Sequence, residues 1–365
     1  MLKAELKKTW SRPLIFWAFI MVCMLQVLYV VVNYSEETKV MAEAYNDVGG
    51  QMDDTWRMNI LLQYEQLCKS SPEVLEDIWM ATKEQRAILL AFEYVHFTEL
   101  LDHYVEALEN AYGEAAQAAY SRLRTASEHG ELIFGVSVAG ECMADQYMVT
   151  WGFLIFMILL CIDQFSGEKE TGMFAMQRVS KHGRRKLFQT KLLVCQLSAF
   201  IVWAVSNLVY AITLTICYGW GNLQSVIQDF SLNACPYNWN TGQYMMVVLI
   251  VGFITSQVTA LVIFLLAKAG RTTQRSFVLM GGILVLPYLF VFLVDSVWLA
   301  LWLPCLMHNK WLWNGLRLIQ LGDCNIPMWG IAGVEIVLIV TIVAVLLRRS
   351  INMIESSRQL KAELL

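Results

Sequence analysis

A segment inside a bilayer has no water to satisfy its backbone, so a long apolar run without charges commits a chain to a membrane-crossing helix. The run Leu14 to Val32 is such a segment, with the ~20 residues that a hydrocarbon core requires. Further apolar stretches follow, and the spans are read as 14–33, 147–162, 192–218, 244–267, 277–297 and 328–347. Composition agrees: 57% of residues are hydrophobic and 16% charged, with mean hydropathy +0.49, against roughly 45–50% and 25% in soluble domains. The first run is longer than the apolar core of a signal peptide, and no small-x-small cleavage site follows it, so it is expected to remain as an anchor. The expected fold class is an all-α polytopic membrane protein with six transmembrane helices.

Charge orients the spans. Of the 27 Lys and Arg residues, 18 fall in segments 1–13, 163–191, 267–276 and 348–365, whereas the short loops on the other side carry only Lys310 and Arg317. Basic segments stay inside, so both termini are expected to be cytoplasmic. Residues 34–146 hold 21 Asp and Glu against 7 Lys and Arg, a balance of −14 that leaves +10 for the remainder. Apolar residues at Leu89, Phe92, Val95 and at Leu100, Tyr104, Leu108, with carboxylates between them, predict a helical extracytoplasmic domain. Ser71-Pro72-Glu73 and Gly113 mark its breaks, and Phe134 to Ser137 reads as a short strand.

The remaining segments are shorter. In 1–13, Leu2, Leu6 and Trp10 share one face of a basic amphipathic helix expected on the inner membrane surface. The outer loop 219–243 carries the interfacial aromatics Trp220, Tyr237 and Trp239, the inner loop 268–276 is basic, and Pro287 should kink span 5. Segment 298–327 is apolar but interrupted by Pro304, His308, Asn309, Lys310 and Asn314. It is expected to form one or two short helices re-entering the outer leaflet, its polar groups packed on protein or facing water. Segment 348–365 is a polar inner tail.

No catalytic constellation stands out, and the Gly-x4-Gly-Lys-Ser/Thr loop that cradles nucleotide phosphates does not occur. His96 and His103, with Glu99 between them, read as a solvated helix face, and no metal site is expected. Cys68 and Cys142 are the first pair to consider for a disulfide, with free thiols an equal alternative. Glu335 lies about seven residues into span 6, ~10 Å deep at 1.5 Å per residue, where an ionisable group calls for a partner, water or a pathway. Asn207 in span 3 and Thr255, Ser256, Gln257 and Thr259 in span 4 are either lining for the same path or interhelical glue. The translocation-path set is thus Asn207, Gln257 and Glu335.

The loop 163–191 carries seven basic residues and the run Gly167-Glu168-Lys169-Glu170-Thr171-Gly172. Met173, Phe174, Met176 and Val179 would give a short helix an apolar face, suited equally to a partner's groove or to anionic headgroups. Phe165-Ser166-Gly167-Glu168-Lys169-Glu170-Thr171-Gly172, followed by Arg184 and by Lys191 at the start of span 3, resembles the signature of type-2 ATP-binding-cassette (ABC) export permeases. The leader from Lys3 to Pro13 is similar to that family's amphipathic N-terminal helix, although Val179-Ser180-Lys181 stands where the family often has proline.

The resemblance implies a type V-like exporter permease in the cell membrane. Glu168, Lys169, Glu170, Gly172, Met173, Phe174 and Arg178 would form a coupling helix against a separate ATPase subunit that holds ATP and Mg. The chain itself would need no cofactor and catalyse no bond chemistry. Its partners would be the ABC ATPase subunits, a second permease protomer, alike or related, and membrane lipid, with no nucleic acid. The large insert between spans 1 and 2 suggests a peptide or lipid-like substrate. The alternative is a membrane receptor or immunity protein whose acidic outer domain captures a cationic peptide without transport.

Overall fold

The structure is a computed structural model that describes residues 2–76, 81–167, 183–228, 235–270, 272–294, 297–313, 316–321 and 324–362. The leader forms α1 (Leu2–Trp10), and α2 (Pro13–Val32), with proline in its first turn, is span 1. A helical domain follows, made of α3 (Glu36–Val48), α4 (Asp54–Ser70), α5 (Glu73–Glu76), α6 (Lys83–Val95), α7 (Phe97–Tyr112) and α8 (Glu114–Glu128). Side-chain oxygens of Ser35, Asp53 and Thr82 accept from the first-turn N–H groups of α3, α4 and α6, which fixes where those helices start. Gly113, at φ +55°, makes the turn between α7 and α8. β1 (Gly50–Gln51) pairs antiparallel with β2 (Ile133–Phe134), closing the domain where the chain enters and leaves it.

The buried face of this domain is offset from the expected one. Ala87, Ala91 and Tyr94 of α6 and Phe97 and Leu101 of α7 form the core with Ile60, Tyr120 and Phe134, whereas Leu100 is exposed. The helix breaks at His96, but the buried stripe Ala87, Ala91, Tyr94, Phe97 and Leu101 keeps helical spacing across the break, and the expected Phe92, Val95 and Leu108 pack on the core from its edge.

Span 2 consists of α9 (Val138–Asp145) and α10 (Tyr147–Ile162), interrupted at Gln146, and ends in a π turn, Asp163–Gly167. The candidate span runs Val138–Phe165, so its helix begins nine residues before the expected 147. Span 3 is α11 (Gly183–Tyr218), which takes in the basic residues Arg184 to Lys191 that the sequence reading assigned to the loop. Span 4 is α12 (Thr241–Ala269) and span 6 lies in α17 (Met328–Ala362). In all, six helices among the described residues are long and apolar enough to cross a membrane, and the chain is mostly helical, as a multi-pass membrane protein requires. Span 2 is the most buried of the six and span 6 the least. Gly152 lets spans 1 and 2 touch, since a Cβ there would lie 2.5 Å from Val22.

Span 5 combines α13 (Thr273–Met280), a π turn at Gly281–Val285 and α14 (Leu286–Phe290). Pro287 has no N–H for the carbonyl four residues back, that of Ile283, and Trp302 donates its indole N–H to that carbonyl at 2.8 Å. Trp302 belongs to the segment of short helices α15 (Val297–Ala300) and α16 (Leu303–His308), as expected for 298–327. The hairpin that ends it, β3 (Leu318–Leu321) with β4 (Cys324–Pro327), was not anticipated. The Gly322-Asp323 pair between these strands is the signal that marks it in the sequence.

Cys68 and Cys142 are both free, the second of the two alternatives that the sequence left open for them. Cys68 is twelve residues along α4 from Trp56, or ~18 Å of helix, whereas Trp56 itself packs on Phe134 at the domain's base. Cys142 packs with Tyr210 and Leu214 of span 3, and a disulfide needs Cα atoms within ~7 Å. Burial also pushes the Cys235 thiol up to about 12. At neutral pH a maleimide is therefore expected to label Cys68 in the folded protein and to reach Cys235 only after denaturation, which peptide mapping by mass spectrometry checks.

Two engineered changes test the Pro287 arrangement. Trp302→Phe should cost about 1–2 kcal/mol by orphaning the Ile283 carbonyl. The cost should shrink in a Pro287→Ala background, where residue 287 regains its N–H, and thermal unfolding of the double-mutant cycle reads the difference.

Candidate functional site

The proposed coupling-helix residues Glu168, Lys169, Glu170, Gly172, Met173, Phe174 and Arg178 lie outside the described residues. Both roots of that loop are described, and they converge on α1. Arg12 pairs with Asp163, and Gln164 Nε2 donates to Thr9 Oγ1 at 3.4 Å. Lys191, 2% exposed, donates from Nζ to the Gln164 carbonyl at 2.6 Å and lies 5.1 Å from the centre of the Phe165 ring, so its buried charge is held from two sides. Trp10 packs between Phe19 and Phe156 and donates to Ser198 Oγ at 3.1 Å. The leader helix is therefore wedged against spans 1, 2 and 3 at its Trp10 end. Phe264 of span 4 seals the joint against Phe165 and Phe188 at 4.8 and 5.4 Å.

A second polar junction sits where span 2 meets the helical domain. Gln146 is 1% exposed and takes a left-handed conformation, φ 49° and ψ 5°, that a non-glycine residue keeps only when its surroundings hold it. Its Nε2 donates to the Met143 carbonyl at 2.7 Å and to Asn207 Oδ1 at 2.8 Å. Beside it, Asp145 Oδ1 lies 2.6 Å from His308 Nε2, and His308 is 4% exposed and flanked by the Tyr147 and Phe292 rings. Asn309 is fully buried, donating to the Val248 carbonyl at 3.1 Å and accepting from Trp313 Nε1 at 2.8 Å. Glu141 and Lys310 lie within electrostatic reach of each other and complete the group. At His308 and Asn309 the polar interruption of segment 298–327 is thus packed on protein, pinned to the break in span 2.

The expected path residues do not share one polar group. Asn207, 6% exposed, belongs to the Gln146 brace, and its amide also donates to the Trp203 carbonyl at 2.9 Å. Gln257, half-buried, accepts at its carbonyl from Gln196 at 3.4 Å. Thr255, Ser256 and Thr259 are buried and donate to carbonyls of their own helix. Glu335 is half-exposed on span 6, with Cys305 of the re-entrant segment in electrostatic reach. The Asp145–His308 pair and Gln146 escaped the sequence reading. Their only signal was two adjacent polar residues at the mouth of an apolar run, with His308-Asn309-Lys310 inside another.

The domain is stitched to this junction. Asn46 exchanges two hydrogen bonds with the backbone of Val136 at 2.9 and 3.0 Å, and Ser137 Oγ donates to the Trp220 carbonyl. The Tyr94 hydroxyl donates to the Gln228 carbonyl at 3.0 Å.

No family model, curated protein or solved structure matches the chain. The site is therefore read from its own chemistry.

His308→Leu should destabilise the protein by about 1 kcal/mol, because it removes the partner of Asp145, whose side chain is 38% exposed, and the Asp145→Asn/His308→Gln pair should cost less than His308→Leu alone. At the break, Gln146→Gly should be about 1 kcal/mol more stable than Gln146→Ala, since both lose the side-chain bonds but only glycine relieves the backbone. Thermal unfolding in detergent measures both.

Proposed function

We propose that this chain is the membrane-spanning subunit of an ABC exporter, with the ends that carry α1 and the basic loop in the cytoplasm and the helical domain outside. The observation that carries this reading is the joint at the loop's roots. Arg12, Thr9, Gln164 and Lys191 fasten span 2, span 3 and the leader helix to one another at the points where the loop leaves and rejoins them. A loop built this way cannot be pushed without moving two spans and the leader together. That is the requirement for a handle worked by a separate motor, and the Glu168 to Gly172 sequence is the resemblance that names the motor.

On this reading the ATPase subunit, with its ATP and Mg, grips Glu168, Lys169, Glu170, Gly172, Met173, Phe174 and Arg178. Two permease protomers pair in the membrane, and Glu335, on the least covered span, faces either the partner protomer or the path between them. Closure of the ATPases drives the roots inward, and span 2, buried along its length, carries the displacement to the junction at Gln146. The substrate class that best suits a large outer domain is a peptide or a lipid-linked molecule.

Affinity purification from native membranes tests this. The wild-type chain should bring down a P-loop ATPase, and Glu168→Arg and Phe174→Asp should each reduce its yield roughly tenfold, as truncation of a docking anchor does. Arg349→Ala in the tail should not. Undiminished recovery with both loop variants would remove the basis for a coupling helix.

A further inference from the structure

Where loop 219–243 meets the start of span 4, an open pocket of about 710 Å3 is lined by Gln224, Asn238, Trp239, Asn240 and Gln243, with Met246 one turn further along α12. Its walls are fixed by the backbone. Thr241 N donates to the Ser225 carbonyl and Gly242 N to the Leu223 carbonyl, each at 2.8 Å, and Gln224 N donates to Asn222 Oδ1 at 3.0 Å. Asn240 and Gln243 close the capping box of α12 through their side-chain oxygens, so neither amide NH2 group takes part in the cap. Gln224, Asn238 and Gln243 are exposed, and so is Met246 at 54%, which gives a ligand surface to cover.

Trp239 supplies the aromatic wall. Its ring lies 4.6 Å from Tyr237 and nearly parallel to it, while Trp313 stands across both, 5.9 Å from Tyr237 and 5.3 Å from Trp239. A ring almost as close to Tyr237 as to Trp239 sits beside the stacked pair rather than beyond it. Neither neighbour therefore covers the far face of the indole.

None of the described residues lining the pocket is charged. An ionic ligand would lose water there without gaining a partner, and an acyl chain would strip water from four carboxamides. A peptide strand would need free backbone groups at the rim, and the Leu223 and Ser225 carbonyls are already engaged. A sugar meets none of these objections. Each hydroxyl both donates and accepts, as a carboxamide does, and the C–H face of a sugar ring suits the electron-rich face of an indole.

We propose that this pocket binds a neutral glycan, either free or as the headgroup of a lipid. The ring lies against Trp239, and Gln224 and Asn238 meet its hydroxyls. The proposal does not rest on the exporter reading, because binding is measured without transport.

The test is binding of the full chain, in phosphatidylcholine nanodiscs, to an array of neutral, sialylated and free-amine oligosaccharides. Neutral members should bind, and the charged members roughly tenfold more weakly. Gln224→Ala/Asn238→Ala should weaken neutral binding roughly tenfold, whereas Asn59→Ala/Gln66→Ala, exposed amides on α4, should change it less than about twofold. The first pair carries the test, since Trp239→Leu also removes packing inside the protein, and unaltered melting curves establish that the variants fold. Digalactosyldiacylglycerol added to the nanodiscs should abolish array binding if the site takes a lipid headgroup and leave it unchanged if it takes a free glycan. No neutral glycan bound above empty nanodiscs, equal losses in the two amide pairs, or sialylated members bound as well as neutral ones would overturn the proposal.

Discussion

Span 2 is the most buried of the six spans, and the polar groups at its two ends find protein partners. Asp163 and Gln164 meet the leader helix and Lys191 at one end, and Asp145 and Gln146 meet His308 and Asn207 at the other. These contacts are few and specific, and between them lies close-packed apolar surface that includes Phe153, Phe156 and Met157. A close-packed interior transmits displacement rather than absorbing it. The rest of the architecture follows from this: the leader, the basic loop's roots, the re-entrant segment and the helical domain all attach to span 2 or to its immediate partners.

The two ends differ in kind. The leader end relies on cations placed against a carboxylate, a carbonyl and a ring, contacts that tie three elements to the loop. At the opposite end the backbone itself is broken, with Gln146 in a left-handed conformation and its amide donating to the Asn207 side chain of span 3 and to the Met143 backbone carbonyl. A break braced by hydrogen bonds can change state when one brace is lost, whereas a continuous helix cannot.

Much of this was legible in the sequence. The six spans follow from apolar runs, and the domain's helices from their spacing and caps, because both depend on local pattern. Three features did not follow. The core stripe runs through Ala91, Tyr94 and Leu101 rather than Leu100, because apolar residues flank it on both sides in the sequence and the small Ala87 and Ala91 carry no strong apolar signal. The Pro287 kink was visible, but its partner Trp302 was not, because the carbonyl it satisfies is supplied by the fold. Asp145 and His308 are 163 residues apart, and nothing local announces that they meet.

The central claim is that the loop and the domain-end junction move as parts of one device. Hydrogen exchange of the chain in complex with the ATPase proposed as its partner, with and without ATP, tests it most directly. The account predicts that nucleotide changes protection both in 163–191 and in the junction segments 138–146 and 303–313. A change confined to the loop, with the junction unaffected, would contradict it.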